Sequence, residues 1–290
     1  MVFSFEKMMK MFNNLSIKCI FAPPILKMKK FKVPYILLAF VLFSSCQGYN
    51  KLLKSGDVDL KYRKGIEYYN KGDYVRAGTL FDMIGQIYRG TQRADTVGFY
   101  YAYCLYKQED FIMAGHYFKE FADAYPRSRF AEEADYLNCY CYYLNSPRPE
   151  LDQESTDQAL DALQLFELKY PQSTRINECN RLIQDLRERL MTKDYINSKL
   201  YFDLGYYKAA VITIRNSLTR YPDSKYREDL MYLLFMSNYL FAENSVLSKQ
   251  KERYQNALDD YYSFVAEFPK TKYATEVQKA YKNLAEQLKL

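Results

Sequence analysis

Of the 290 residues 49% are hydrophobic and 17% aromatic, and the formal net charge is +6. That charge is concentrated at one end: residues 1–45 hold seven Lys/Arg (7, 10, 18, 27, 29, 30 and 32) and one acid, Glu6, which leaves 34 bases and 34 acids beyond them. A mature chain near neutrality carries no nucleic-acid footprint, so nucleic acid is not an expected partner. Its 245 residues suit one or two compact domains, or one solenoid that grows by stacking.

In chain order the first element is a leader. Lys29, Lys30 and Lys32 precede the apolar run Val33 to Phe43, and Ser44 and Ser45 lead into Cys46. A basic start, an apolar stretch and small residues at the cleavage point describe an export signal. The run is too short to cross a bilayer, which takes roughly 20 residues. A cysteine directly after the small residues resembles a bacterial lipobox, in which that cysteine is acylated and begins the mature chain; Phe43 departs from the aliphatic residue usual there. Residues 1–45 are read as the signal peptide, with 1–27 as an extension ahead of an alternative start at Met28, and 46–56 as a lipid-anchored linker. An ordinary signal peptide or an uncleaved anchor is the alternative. Covalent lipid on Cys46 is the one non-protein group expected, with no cofactor and no metal.

Beyond the linker the chain repeats itself. Tyr125-Pro126-Arg127-Ser128, Tyr170-Pro171-Gln172-Ser173, Tyr221-Pro222-Asp223-Ser224 and Phe268-Pro269-Lys270-Thr271 share one punctuation. Twelve residues before each proline stands Ala114, Ala159, Ala210 or Ala257, followed four later by Phe118, Leu163, Ile214 or Tyr261. A further copy, with Ala77, Phe81 and Tyr88, lacks the proline. Each alanine has a small partner upstream: Gly65, Ala102 and Ser198 at twelve residues, Cys139 and Ser237 at twenty once an insertion is allowed. Two small sites on paired helices let backbones approach closely, and a leucine at either would overpack. Ala159, Leu160, Leu163 and Phe166 follow the 3.6-residue helical period. Ser128, Ser173, Ser224 and Thr271 are placed to cap the following helices. Repeats 1–3 are assigned to 57–172 with an insertion loop at 146–156. Residues 173–290 take a long connecting helix, free of Gly and Pro from Thr174 to Leu204, then repeats 4–5 with an insertion loop at 243–251.

Little chemistry is on offer. His116 is the single histidine, and no phosphate loop, HExxH or GxSxG occurs. Cys104, Cys139, Cys141 and Cys179 have neither CxxC spacing nor histidine partners, which disfavours zinc. Export permits disulfides, yet buried thiols are the preferred reading. An enzyme is not expected.

The small residue, the aromatic or leucine three places on, the alanine and the closing proline together resemble the tetratricopeptide repeat, two antiparallel helices per unit. The fold class is therefore all-α, a solenoid of about five helical hairpins. By that family's register Tyr62, Ile66 and Tyr69, with Phe99, Tyr103 and Tyr106, would line one groove able to hold an extended peptide. The lipobox, Tyr49-Asn50-Lys51-Leu52-Leu53-Lys54-Ser55, Tyr68-Tyr69-Asn70-Lys71-Gly72-Asp73-Tyr74 and the repeated YPxS resemble BamD, the tetratricopeptide lipoprotein family of the outer-membrane β-barrel assembly machinery, in its Bacteroidetes form. That resemblance implies an outer-membrane anchor facing the periplasm, a barrel-forming core subunit held by the later repeats, and unfolded outer-membrane protein segments received by the early ones. Other periplasmic lipoproteins built on such repeats, coordinating cell-wall synthesis or nutrient uptake, are the alternatives.

Overall fold

The computed structural model describes residues 48–290; the leader and Cys46 lie outside the described residues. Among the described residues, 48–56 belong to one unit and 57–290 form a second, compact one. The described part of the first is a short helix over 48–53 with irregular chain to Gly56. The second unit is built from helices, with no strand among the described residues: α1 (Val58–Asn70), α2 (Tyr74–Tyr88), α3 (Ala94–Lys107), α4 (Phe111–Ala124), α5 (Ala131–Asn145), α6 (Glu154–Lys169), α7 (Ile176–Asp203), α8 (Tyr207–Arg220), α9 (Arg227–Glu243), α10 (Leu247–Glu267) and α11 (Ala274–Leu288).

Neighbours in sequence pack as neighbours in space, each odd-numbered helix against the even one that follows, giving five antiparallel hairpins closed by α11. The ten small positions, Gly65, Ala77, Ala102, Ala114, Cys139, Ala159, Ser198, Ala210, Ser237 and Ala257, are all buried. At Gly65 the approach is close enough that an added Cβ would lie 2.8 Å from the Phe81 ring. Phe81, Phe118, Leu163 and Ile214, each one turn after its alanine, are fully buried, whereas Tyr261 is half-buried. Burial of such a side chain stabilises by about 1.5–3 kcal/mol. The core is a series of local clusters: one around Phe81, one from Phe99 to Leu186, one around Ile214 and one from Met231 to Leu284. Each spans no more than three consecutive hairpins, as a stacked array requires.

The turns inside the first, second and fourth hairpins share one design. Gly72, Glu109 and Gly205 take positive φ of 77°, 63° and 76°. In each, two amides reach back to the preceding helix: Asp73 N to Tyr68 O and Gly72 N to Tyr69 O, Asp110 N to Leu105 O and Glu109 N to Tyr106 O, Tyr206 N to Tyr201 O and Gly205 N to Phe202 O. This pair of bonds is the Schellman closure, which satisfies carbonyls a helix end leaves unpaired. Asp73 and Asp110 then cap α2 and α4, accepting from the amides of Arg76 and Met113 at 3.2 Å each.

Two expectations need correction. The segment expected as a loop at 243–251 is helical from Leu247, because Lys249 to Arg253 lacks any turn former and α10 extends back over it for 21 residues. Arg253 lies 4.0 Å over the Phe241 ring and fixes that extension. The other insertion is open chain only over 146–153, between α5 and α6, and α7 pins it: Arg189 donates to Ser146 O at 2.8 Å, and Lys193 to Glu150 O at 2.9 Å. The serines are the second correction. They stand two residues before the cap positions, where Phe130, Arg175, Tyr226 and Tyr273 make no side-chain cap bond. Ser128, Ser173, Ser224 and Thr271 instead accept from the amide two residues on. Three also donate to an acid in the first turn of the preceding odd helix: Ser128 to Asp95 at 2.8 Å, Ser173 to Glu132 at 2.6 Å and Thr271 to Glu228 at 2.7 Å. They bind repeat to repeat.

Candidate functional site

The odd helices of the first three hairpins carry a continuous row of rings. Tyr69 of α1 lies 5.7 Å from Tyr103 of α3, Tyr103 lies 5.8 Å from Tyr106, Tyr106 lies 6.4 Å from Tyr140 of α5, and Tyr140 lies 5.8 Å from Tyr143. All five are half-buried, so each offers part of a rigid apolar face with a hydroxyl at its rim. The spacing follows from helix geometry: residues one and four places after the small position share its flank, and every small position of hairpins 1–3 has an apolar or aromatic residue at both. Lys107 Nζ lies over Tyr103 and Tyr106, 5.3 and 5.6 Å from their centres. At the other end Tyr143 donates to Asp185 at 3.0 Å, and Arg189 covers its ring at 4.9 Å. Burial pushes the Tyr69, Tyr106 and Tyr143 phenols above their usual range, Tyr143 further so because it donates to Asp185. These three phenols are held neutral at physiological pH.

Of the six residues expected in one groove, Tyr69, Tyr103 and Tyr106 stand together in this row. Ile66 is half-buried in the cluster around Phe81. Tyr62 joins a different group, with Tyr88 at 5.8 Å and the Arg93 guanidinium 4.9 Å over its ring. Phe99 is corrected to a core role: only 6% exposed, it stacks on Phe130 at 4.5 Å and meets Phe118 and Phe121 at 5.8 Å. It supports the row from beneath. Tyr140 and Tyr143 were missed, although counting from Cys139 as from Gly65 and Ala102 reaches both. In hairpin 4 the same count gives Tyr195, Lys199 and Phe202, and in hairpin 5 Leu234, Asn238 and Phe241. A Lys and an Asn interrupt the aromatic pattern there.

His116 is exposed on α4, 3.9 Å from Glu120 and edge-on to Tyr117. Cys104, Cys139, Cys141 and Cys179 are free and buried; burial pushes the first three thiols up to about 12 and Cys179 to about 11. No group of three or more His, Cys, Asp or Glu arranged for a metal ion occurs among the described residues. None of the helices described is long and apolar enough to cross a membrane.

Stacked antiparallel hairpins define an all-α helical-repeat protein. The sequence profile of the YfiO family, described as outer membrane lipoproteins, matches residues 56–244 and again 201–289. The chain belongs to that family, also called BamD. No curated protein matches it significantly. Among solved structures it is similar to the TPR2AB domain of yeast Sti1 in a pHSP90 complex, at 12% identity over 79% of this chain and 98% of that one, with a TM-score of 0.37. It is also similar to the nearly identical TPR-like repeats of a Podospora anserina protein described as a kinesin light chain, at 11% identity over 74% and 97% of the two chains, TM-score 0.31.

Proposed function

We propose that this lipoprotein is a periplasm-facing scaffold in the assembly of β-barrel outer-membrane proteins, anchored through acyl chains on Cys46. Its early hairpins hold unfolded segments of the barrel proteins, and its later hairpins grip the barrel-forming core subunit. The observation that carries the reading is the row from Tyr69 to Tyr143, which is confined to hairpins 1–3. An extended barrel strand alternates apolar and polar side chains, and rings with rim hydroxyls suit both. Family membership gives an outer membrane lipoprotein, and the assembly role is what membership of that family implies. Two or more acyl chains suffice for stable attachment.

The test is fluorescence anisotropy with a labelled carboxy-terminal peptide of a barrel protein. Replacing Tyr106 and Tyr140 with Ala weakens binding by about tenfold or more, since removing each ring costs ~1 kcal/mol or above. Tyr262→Ala, an exposed ring on α10, leaves it unchanged. Equal affinity of all three proteins, with helicity intact, would remove the row from the mechanism.

A further inference from the structure

Helix α7 carries one arrangement twice, eighteen residues apart, which is five turns at about 3.6 residues per turn. On one flank Leu182 and Leu186 of the amino-terminal half recur as Leu200 and Leu204 of the carboxy-terminal half. Leu204 is the cap residue and still takes helical backbone angles, φ −80° and ψ −3°. On the opposite flank the positions of Asn177, Asn180 and Gln184 recur as Tyr195, Ser198 and Phe202.

Three of these four stretches match what covers them. Leu182 and Leu186 are 4% and 0% exposed, in one cluster with Ala159, Leu163 and Phe166 of α6. Ser198 is fully buried, and Tyr195 and Phe202 pack in the cluster around Ile214 of α8. Asn177, Asn180 and Gln184 are exposed and polar. The fourth stretch does not match: Leu200 and Leu204 are 52% and 58% exposed. Helix α6 begins too late to reach them, because the chain leading into it crosses α7 at Lys193, which donates to Glu150 O at 2.9 Å and Leu151 O at 3.0 Å. Leu151, itself half-exposed, stands at that crossing. Leucines spaced for helix packing and left in water are the informative kind of exposure.

We propose that Leu200 and Leu204 receive an amphipathic helix of another protein, laid along α7 end to end with α6. The interface of α6 with α7 continues onto this site without a change of flank or residue type. That continuity selects a helix, whose rows of side chains interlock with the second leucine pair as α6 packs on the first. An extended segment would instead press backbone amides and carbonyls against a helix flank that has none to pair them. Charge then selects the guest. Residues 146–157, where the site begins, carry Glu150, Asp152, Glu154 and Asp157 against Arg148 alone, and all five are exposed. The guest therefore brings apolar residues at i and i+4, with Lys or Arg at the end that meets this segment. The same acids repel an anionic lipid surface. The site lies on hairpin 4, within the part read above as gripping the core subunit, but it stands whichever protein supplies the helix.

The test places the photoreactive residue p-benzoylphenylalanine at position 200 or 204 of the tagged full chain, in its own membranes, with positions 180 and 184 as controls. Irradiation at 200 and 204 yields one defined adduct with another protein. Mass spectrometry maps it to a helical segment with apolar residues at i and i+4 and a basic end, and the controls yield none. Leu204→Gln, in the chain carrying the probe at 200, lowers the yield about tenfold, with melting temperature unchanged because Leu204 is exposed. Absence of adducts at 200 and 204, equal yield at 180 and 184, or attachment to lipid, to a second copy of this chain or to an extended strand would overturn the proposal. The assembly reading is judged separately. An adduct with a helix of a protein outside barrel assembly keeps the docking site and removes the core subunit as its guest. A barrel protein that co-purifies while 200 and 204 stay unlinked keeps the assembly reading and removes the site.

Discussion

Ser198 and Ser237 occupy the small positions that hairpins 1 and 2 fill with Gly65 and Ala102, and both are fully buried. Their hydroxyls have no hydrogen-bond partner. A buried hydroxyl without a partner costs roughly 1–3 kcal/mol of lost hydration. Ser198→Ala and Ser237→Ala are therefore expected to stabilise the chain by about 1 kcal/mol each, read as a rise in the midpoint of urea unfolding; a fall would show that the hydroxyls are satisfied. The tyrosines set a second residue-level expectation. Burial raises the phenols of Tyr69, Tyr101, Tyr136 and Tyr232 well above their ordinary value, and moves Tyr273 up to about 12. Such groups bind their protons more tightly folded than unfolded. The stability this gives is complete below pH 10, near the ordinary tyrosine value, and is lost as pH rises through the folded values. Absorbance titration should show a class of tyrosines that ionise only as the helices melt. Ionisation of every tyrosine near pH 10 with helicity retained would refute the packing described.

At the scale of the element, Glu109 is the exception among three equivalent turns. Gly72 and Gly205 adopt positive φ without cost, whereas a side chain there costs about 1–2 kcal/mol. Glu109→Gly is expected to raise stability by roughly 1 kcal/mol, measured by thermal melting, since the turn already exists and only its strain is removed. Glycine at 72 and 205 made two of these turns readable from sequence; at 109 it is absent, and the Asp110 cap was the only remaining signal. The serines show a different failure. Their spacing was visible, but a cap and a bond to the preceding repeat use the same residue type, and only the acids at 95, 132 and 228 distinguish them. The helical start of α10 was missed because Ser245 and Val246 end the turn sooner than the repeat length implied.

For the whole molecule, repetition made the architecture legible, since five small-residue pairs, three at twelve residues and two at twenty, admit few packings. The site was half legible. The register found Tyr69, Tyr103 and Tyr106, but which rings face outward depends on what lies beneath, and Phe130, in a connector, draws Phe99 into the core. A row of rings on hairpins 1–3 and an interrupted pattern on 4–5 suit a scaffold with two clients, joined by the 28 residues of α7. Gentle detergent extraction of the tagged lipoprotein from its own membranes, followed by mass spectrometry of what accompanies it, tests that account most directly. The prediction is a stoichiometric β-barrel protein bearing periplasmic repeats, together with unfolded barrel segments that no longer accompany the Tyr106→Ala, Tyr140→Ala protein. Recovery of cell-wall enzymes or nutrient transporters without any such barrel protein would contradict it.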